Sequence, residues 1–379
     1  MPATTSLSHP SRLEISRGAI RSNVMTLLSL VKPSELCVVV KANAYGHGSV
    51  EVAKIAVASG ASMLGVARVS EARALREAGL SCPILLLSEP APGEFSACAD
   101  LDVEVTVYSP DTIAALNLLG SRSRRVRCHL DIDTGMGRVG CTPSEAPRLA
   151  AEISAASGLE LAGISTHFAS ADEVNSAPSV AQLQSFEAAL HQCRANGISW
   201  KHTHAANSAA AITFEEARFS MVRCGIAVYG VHPRDGASTE MASELGLVPA
   251  ARFVSEVSFV KEVPAGQAIS YGGTWTAPHA TRIVTVPLGY ADGVRRDLAM
   301  LGGEVLIGSG KFRIVGRVTM DQLMVDVGEA DVTVGDEVVI FGRLGKQELS
   351  ANELAARLHT IPYELFCAIG QRVERTYVP

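Results

Sequence analysis

The sequence predicts an α/β protein made of an N-terminal (β/α)8 barrel and a C-terminal, mainly β domain. Two observations carry this. Between about residues 37 and 230, short apolar runs alternate with longer helical patterns that end in glycine, the texture of repeated βα units around a parallel sheet. After about residue 240 the runs become β-branched and alternating, parted by Gly, Pro and Asp. A chain of 379 residues is long enough for a large barrel with an accessory domain and a sizeable buried site.

The elements follow in order. An arm spans residues 1–12, the barrel 13–240 and the β domain 241–379. Arg12–Ile15 reads as extended, and Ser16 followed by Arg17–Val31 reads as a helix leading into the first strand. The barrel strands are expected at Cys37–Lys41, Met63–Val66, Ile84–Leu87, Val103–Val107, Val126–Asp131, Leu161–Thr166, Trp200–Ala205 and Phe219–Val222. Helical spacing at Ser49–Ser59 and Glu71–Ala78, each followed by glycine, supplies barrel helices. Asp235–Pro249 reads as the linker. Beyond it, Phe253–Val263, Arg282–Pro287, Val305–Ile307, Phe312–Val318 and Leu323–Val327 read as strands. The clearest hairpin pairs Val332–Val334 with Val338–Phe341 across Gly335-Asp336.

Composition excludes several classes. A net charge of −6 gives no basic footprint for nucleic acid, and the Arg122–Arg127 run reads as a solvated strand approach. No apolar run reaches the roughly 18 residues of a spanning helix. The opening MPATTSLSHP lacks a basic stretch followed by an apolar one, so no secretory signal is expected and the cytoplasm is favoured. Eight cysteines without a CxxC read as reduced core thiols.

Chemistry is expected at the C-terminal mouth of the barrel, where active sites of this fold are built. Lys41 ends the apolar run Val38-Val39-Val40 and is followed by the glycine-flanked Ala42–Gly48. A phosphate site is expected after strands seven and eight. His204–Ser208 follows the seventh and opens a helix, while Arg223-Cys224-Gly225-Ile226 follows the eighth. Ser208 alone reads as an N-cap and Gly225 alone as a turn. With the lysine they read as a cradle for a phosphorylated cofactor bound as an imine.

The run Val39–Gly48 resembles the pyridoxal-phosphate attachment signature of the alanine racemase family. Asp133–Arg138, Thr166–Phe168, His204–Ser208, Arg223–Ile226, Ile269–Gly272, Gly289–Gly293 and Met320-Asp321 all fall in that family's order. The resemblance implies an L-alanine/D-alanine racemase with pyridoxal 5'-phosphate and no metal. Its product would supply peptidoglycan, or its substrate would be broken down. It implies a homodimer with shared sites, and that the first dozen residues, including Leu13–Ile15, pair with the β domain. Lys41 would carry the cofactor, while Tyr45, Asn207, Ser208, Gly225, Ile226 and Tyr363 would hold it, with Arg223 at the pyridine nitrogen and His167 beside it. Arg138 and the backbone N–H of Met320 of the partner subunit would bind the substrate carboxylate, supported by Asp131, Asp321 and Tyr290. Tyr271 of the partner subunit would be the second base. Asp172, His204, Tyr290, Arg296, Arg317 and Tyr363 would line the substrate passage.

These residue types suit racemisation. Inversion through a planar centre needs one base on each face, and the reference pKa values of Lys and Tyr, both about 10, must be tuned down by a cationic neighbourhood. An arginine at the ring nitrogen has no acceptor and keeps its proton, so it weakens the electron sink and disfavours side reactions. Two positions depart from the family's common pattern. Asp131 stands where many members carry a carbamylated lysine and is expected to hold Arg138 directly, and Thr319 stands where cysteine is frequent. Metal binding by His202, His204 and Asp172, a decarboxylase and a cofactor carrier without activity are the weaker readings. Arg223 opposes the decarboxylase, and Tyr271 with the second domain opposes the carrier.

Overall fold

The computed structural model describes residues 9–173, 176–234 and 237–379. The chain divides into two compact units. One runs from Ala19 to Ala237 and takes in Met241–Val248; the other gathers the N-terminal segment through Gly18, Ser238–Glu240 and Pro249–Pro379.

The described chain opens with strand β1 (Arg12–Ser16) and a helix at Arg17–Leu30. The barrel strands follow: β2 (Glu35–Val39), β3 (Met63–Val66), β4 (Ile84–Leu86), β5 (Glu104–Val107), β6 (Val126–Asp131), β7 (Leu159–Ser165), β8 (His202–His204) and β9 (Met221–Cys224). All pair in parallel, in the sequential order β2 to β8, with β9 against β2. The β8/β9 seam is bridged by Ser220 N–H to the Thr203 carbonyl at 3.2 Å and Arg223 N–H to the Ala206 carbonyl at 2.9 Å. The strands are short and almost wholly buried, as a sheet covered on both faces requires. Parallel pairing brings every strand's C-terminal end to one mouth, so the expected site segments converge there.

Strand positions agree with the alternation read from the sequence to within a few residues. Lys41 is the exception in detail: β2 stops at Val39, and Lys41 opens a separate turn, Lys41–Tyr45.

The second unit is built on a ten-stranded sheet. Its further strands are β10 (Ala251–Glu256), β11 (Phe259–Val263), β12 (Ala268–Ile269), β13 (Trp275–Thr276), β14 (Thr281–Val286), β15 (Glu304–Ile307), β16 (Gly310–Val315), β17 (Leu323–Gly328), β18 (Glu337–Leu344), β19 (Gln347–Leu349) and β20 (Glu374–Val378). The order is β11-β14-β17-β16-β15-β18-β10-β1-β20, with β19 on β18 and β12-β13 as a separate ribbon. β1 runs antiparallel to β10 and parallel to the edge strand β20, so the N-terminal segment is an interior strand of this sheet, paired on both sides. Its alternation is strict, with Leu13 and Ile15 fully buried.

Three expectations change. Leu13–Ile15 pair within the β unit as the resemblance implies, but the unit boundary falls at Gly18 rather than at the residue 12 drawn for the arm, because strand pairing continues to Ser16. Residues 1–8 of that arm lie outside the described residues. Phe253–Val263 is two strands, since the chain leaves β18 at Glu256 and joins β14 at Phe259. The hairpin at Gly335-Asp336 has no first strand: Arg282 donates to the Val332 carbonyl at 2.8 Å, and Gly335 and Asp336 pair with the backbone of Val257 instead. The linker region carries a helix at Thr239–Glu244.

Leu13→Ala leaves a cavity on a strand paired on both sides rather than at a free end. The expected loss is about 2–5 kcal/mol of unfolding free energy, read by urea denaturation. A loss under about 0.5 kcal/mol would mean that β1 is not integral to the sheet.

Candidate active site

The turn that carries Lys41 is left-handed. Ala42, Asn43, Ala44 and Tyr45 have φ between 52° and 54°, four consecutive non-glycine residues in a region that costs on the order of 1–2 kcal/mol each. Several bonds hold it there. Ala44 N–H donates to the Val40 carbonyl at 2.8 Å and Gly46 N–H to the Ala42 carbonyl at 3.0 Å. Asn43 Oδ1 accepts from Ser49 N–H at 2.9 Å. From the next βα unit, Glu71 Oε1 accepts from Ala42 N–H at 2.6 Å while Oε2 accepts from the Ala67 and Arg68 amides. Strain fixed by surrounding bonds beside a mouth lysine is characteristic of a functional segment.

Across the mouth, Asn207 caps the helix Ser208–Thr213 by accepting from Ala210 N–H at 3.0 Å. That leaves Ser208 Oγ to accept from Gly225 N–H at 2.9 Å and Ala227 N–H at 3.4 Å. Ile226 opens the short turn that follows. The Tyr45 hydroxyl closes the group: a Cβ on Gly225 would lie 2.4 Å from it. Hydroxyls and backbone amides with no side chain between them form a cradle of phosphate-binding type.

Arg223, at 7% exposure, is the buried charge of the site. Nη1 donates to His204 Nδ1 at 2.6 Å and to the His204 carbonyl at 2.8 Å. Nη2 donates to the Thr166 carbonyl at 2.8 Å, His167 Nδ1 at 3.1 Å and the Ala205 carbonyl at 3.2 Å. Nε–H is the one donor group with no protein acceptor among the described residues, and it is therefore the one available to a ring nitrogen acceptor.

His167 follows β7 and is pinned by a residue that sequence reasoning missed. Gln182, from the helix Ala177–Ala195, donates to the His167 carbonyl at 2.9 Å and accepts from Ala169 N–H at 2.9 Å. Burial, then the charges of Arg223, Arg138 and Lys41, push His167 down to about 3, so it is a neutral imidazole accepting from Arg223. Nothing in the helical pattern of Gln182 marks it, because its partners lie in the irregular loop between β7 and its own helix and, through Thr134 Oγ1 at 3.3 Å, in the loop after β6. Glu71 was legible only as a first-turn acid of its helix.

Two expectations are corrected. His204 does not line a passage: it is 1% exposed and sits beneath Arg223. Asp131 does not hold Arg138, since among the described residues no ion pair joins them. Its carboxylate accepts from Ser165 Oγ at 2.6 Å, and Arg138 is exposed. Burial pushes the Asp131 carboxyl up to about 6, against the Ser165 bond and the charges of Arg223 and Arg138. Among the described residues no cluster of His, Cys, Asp and Glu has the arrangement of a metal site.

In the β unit, the remaining residues gather at one end of the sheet. Tyr271 lies at the tip of the β12-β13 ribbon, 70% exposed, after Ser270 at φ 64°. The Ser270 hydroxyl donates to the Arg317 carbonyl at 2.7 Å. Tyr290 follows β14 and Met320 precedes β17, and their loops are locked together. Tyr290 N–H donates to the Thr319 carbonyl at 3.0 Å, and a Cβ on Gly289 would lie 2.1 Å from the Met320 carbonyl. Asp321 is held by Arg372 at 2.7 Å, which also pairs with buried Asp292 at 2.8 Å. Tyr363 is half-buried near the start of the helix Pro362–Ala368.

Fold and mouth define a barrel enzyme whose site is assembled on strand C-termini around a lysine, a buried arginine and an anion cradle. The N-terminal and C-terminal alanine racemase domains match residues 15–233 and 250–377. The chain belongs to the alanine racemase family. An alanine racemase of Symbiobacterium thermophilum is 43% identical over 97% of this chain and 97% of its own length. The crystal structure of the alanine racemase from D-cycloserine-producing Streptomyces lavendulae superposes with a TM-score of 0.91 at 37% identity, covering 99% of this chain and 98% of the other. That of Bacillus anthracis with bound L-Ala-P gives 0.91 and 37%, covering 99% and 96%.

The raised Asp131 pKa has a sign in stability. The folded state keeps the proton to higher pH than the unfolded chain, so stability falls as pH rises from about 4 to about 6 and the full penalty stands above that. Asp131→Asn keeps the Ser165 acceptor and removes the penalty. Urea denaturation at pH 7.5 is expected to show a gain of up to about 3 kcal/mol, at about 1.4 kcal/mol per pKa unit, shrinking to nothing near pH 4. An unchanged or lower stability at pH 7.5 would contradict a strained carboxylate.

Proposed function

We propose that the protein interconverts L-alanine and D-alanine, with pyridoxal phosphate held on Lys41 and with Lys41 and Tyr271 of the partner subunit serving opposite faces of the α-carbon. When bound, that cofactor withdraws electrons from the α-carbon of an attached amino acid and makes its proton removable. The observation that carries the reading is Arg223, an arginine rather than an acid at the end of β9, with only its Nε–H uncommitted.

The barrel's residues divide the work. Ser208 with the Gly225 and Ile226 amides and Tyr45 would grip the phosphate. Arg223 would donate to the ring nitrogen without giving up its proton, leaving the electron sink weak. A weak sink favours rapid return of the proton over transamination or decarboxylation. His167, neutral and fixed by Gln182, orients rather than protonates. Arg138, exposed at the mouth, is free to meet the substrate carboxylate, and the backbone N–H of Met320 of the partner subunit is proposed as the second contact. Tyr271 suits a base supplied by another copy: it is exposed at the tip of a ribbon whose backbone is fixed by Ser270 and Arg317.

The test is incubation with L-alanine in D2O, following chirality and α-deuteration together. Wild type should form deuterated D-alanine. Tyr271→Phe should retain cofactor absorbance and lose racemisation by a factor of about 10²–10⁴, the usual contribution of a general acid–base group. Lys41→Ala should lose the covalent cofactor band. Cofactor absorbance without α-exchange in wild type would overturn the racemase reading in favour of a decarboxylase or a carrier.

A further inference from the structure

Below Arg223 the barrel interior holds a line of buried polar side chains that the proposed chemistry does not use. His204 Nε2 lies 2.7 Å from His129 Nδ1, and His129 Nε2 lies 2.7 Å from Glu104 Oε2. His129 is fully buried, His204 1% and Glu104 5% exposed. Glu104 Oε1 forms an ion pair with Arg127 at 3.0 Å, and the His202 ring stacks on His129 with centroids 6.0 Å apart. The line starts at the first residue of β5 and ends at Arg223, near the mouth.

Arg223 fixes every proton along it. A guanidinium has donors only, so His204 Nδ1 must accept. A neutral His204 then carries its proton on Nε2 and donates to His129 Nδ1. His129 in turn carries its proton on Nε2 and donates to Glu104, whose facing oxygen must be unprotonated. A protonated Glu104 would reverse the lower bonds and leave His204 with two acceptor nitrogens and no proton. Burial, followed by the charges of Arg223, His129 and His202, holds His204 well below the usual histidine range, in keeping with the neutral form.

We infer that Glu104 is a positioning residue for Arg223, acting through His129 and His204: its carboxylate anchors a one-way hydrogen-bond chain that keeps the guanidinium seated with Nε–H directed away from the protein. The role in catalysis rests on the proposed pairing of Arg223 with the cofactor's ring nitrogen; the chain itself does not. Both guanidinium and carboxylate are buried, and each hydrogen bond to an ionised group is roughly twice as strong as a neutral one. The carboxylate acts on Arg223 through hydrogen-bond direction rather than as its counter-charge, since Glu104 is ion-paired with Arg127 and the acid whose charge acts most on Arg223 is Asp131; removing the Glu104 charge frees both imidazoles to change tautomer.

The experiment uses the holoenzyme labelled with ¹⁵N-histidine, read by long-range ¹H–¹⁵N correlation at pH 8. His129 and His204 are both expected as Nε2–H tautomers, with unprotonated Nδ1. An Nδ1–H tautomer or an imidazolium at either position overturns the chain, whatever the activity. Glu104→Gln then tests the positioning role, because the amide oxygen still accepts while the charge is gone. The expected result is a shifted cofactor absorbance maximum and a kcat lowered about tenfold, with KM changed less than about twofold. Unchanged spectrum and kcat in a folded variant overturn the positioning role. If wild type holds the predicted tautomers but does not racemise alanine, the functional reading fails and the chain stands.

Discussion

A buried guanidinium with five N–H donors and no acceptor imposes its terms on everything around it. Arg223 draws carbonyl oxygens from Thr166, His204 and Ala205, residues that lie at or just beyond the ends of β7 and β8. Those bonds help to close the β8/β9 seam, where the ladder itself is thin. An unpaired buried charge costs several kcal/mol, so the barrel mouth is stable only in an arrangement that meets all but one of these donors. The same demand explains why a histidine, and not an apolar residue, ends β8.

Around that charge the site is built mainly by backbone. The left-handed turn at Ala42–Tyr45 places strained peptide groups beside Lys41, and Glu71 holds it from an adjacent unit. The missing side chain at Gly225 lets the Tyr45 hydroxyl approach, while the missing one at Gly289 lets the Met320 loop lie against the loop of Tyr290. In the β unit, Arg372 ties Asp321 to buried Asp292, so an exposed loop is anchored to the interior by one side chain. Rigid support of this kind is what a site needs if reacting groups are to stay within fractions of an ångström of their working geometry.

Much of this was legible in the chain. Apolar runs interrupted by glycine-ended helices placed the eight barrel strands to within a few residues, because a strand covered on both faces has no polar alternation to blur it. Lys41, Ser208, Gly225 and Arg223 were marked by their place at strand ends. Failures came where a distant side chain replaced a local pairing. Arg282 took the Val332 carbonyl of the expected hairpin strand, and Ser165 rather than Arg138 took the carboxylate of Asp131. His204 was misplaced on the passage because residues at a strand end can point to the mouth or to the interior, and spacing alone does not say which.

The amino-acid sequence by itself determined the two-part architecture, the parallel barrel and the residues at its mouth, since hydrophobic period and turn chemistry are local properties. Tertiary structure alone decided how those residues are coupled. Glu104, His129, His204 and Arg223 come from three strands and the start of a fourth across more than a hundred positions, and only their convergence inside the barrel turns four polar residues into one ordered chain of donors and acceptors. Hydrogen-bond direction is a property of the closed set, because each member's protonation is fixed by its neighbour and not by its own place in the sequence.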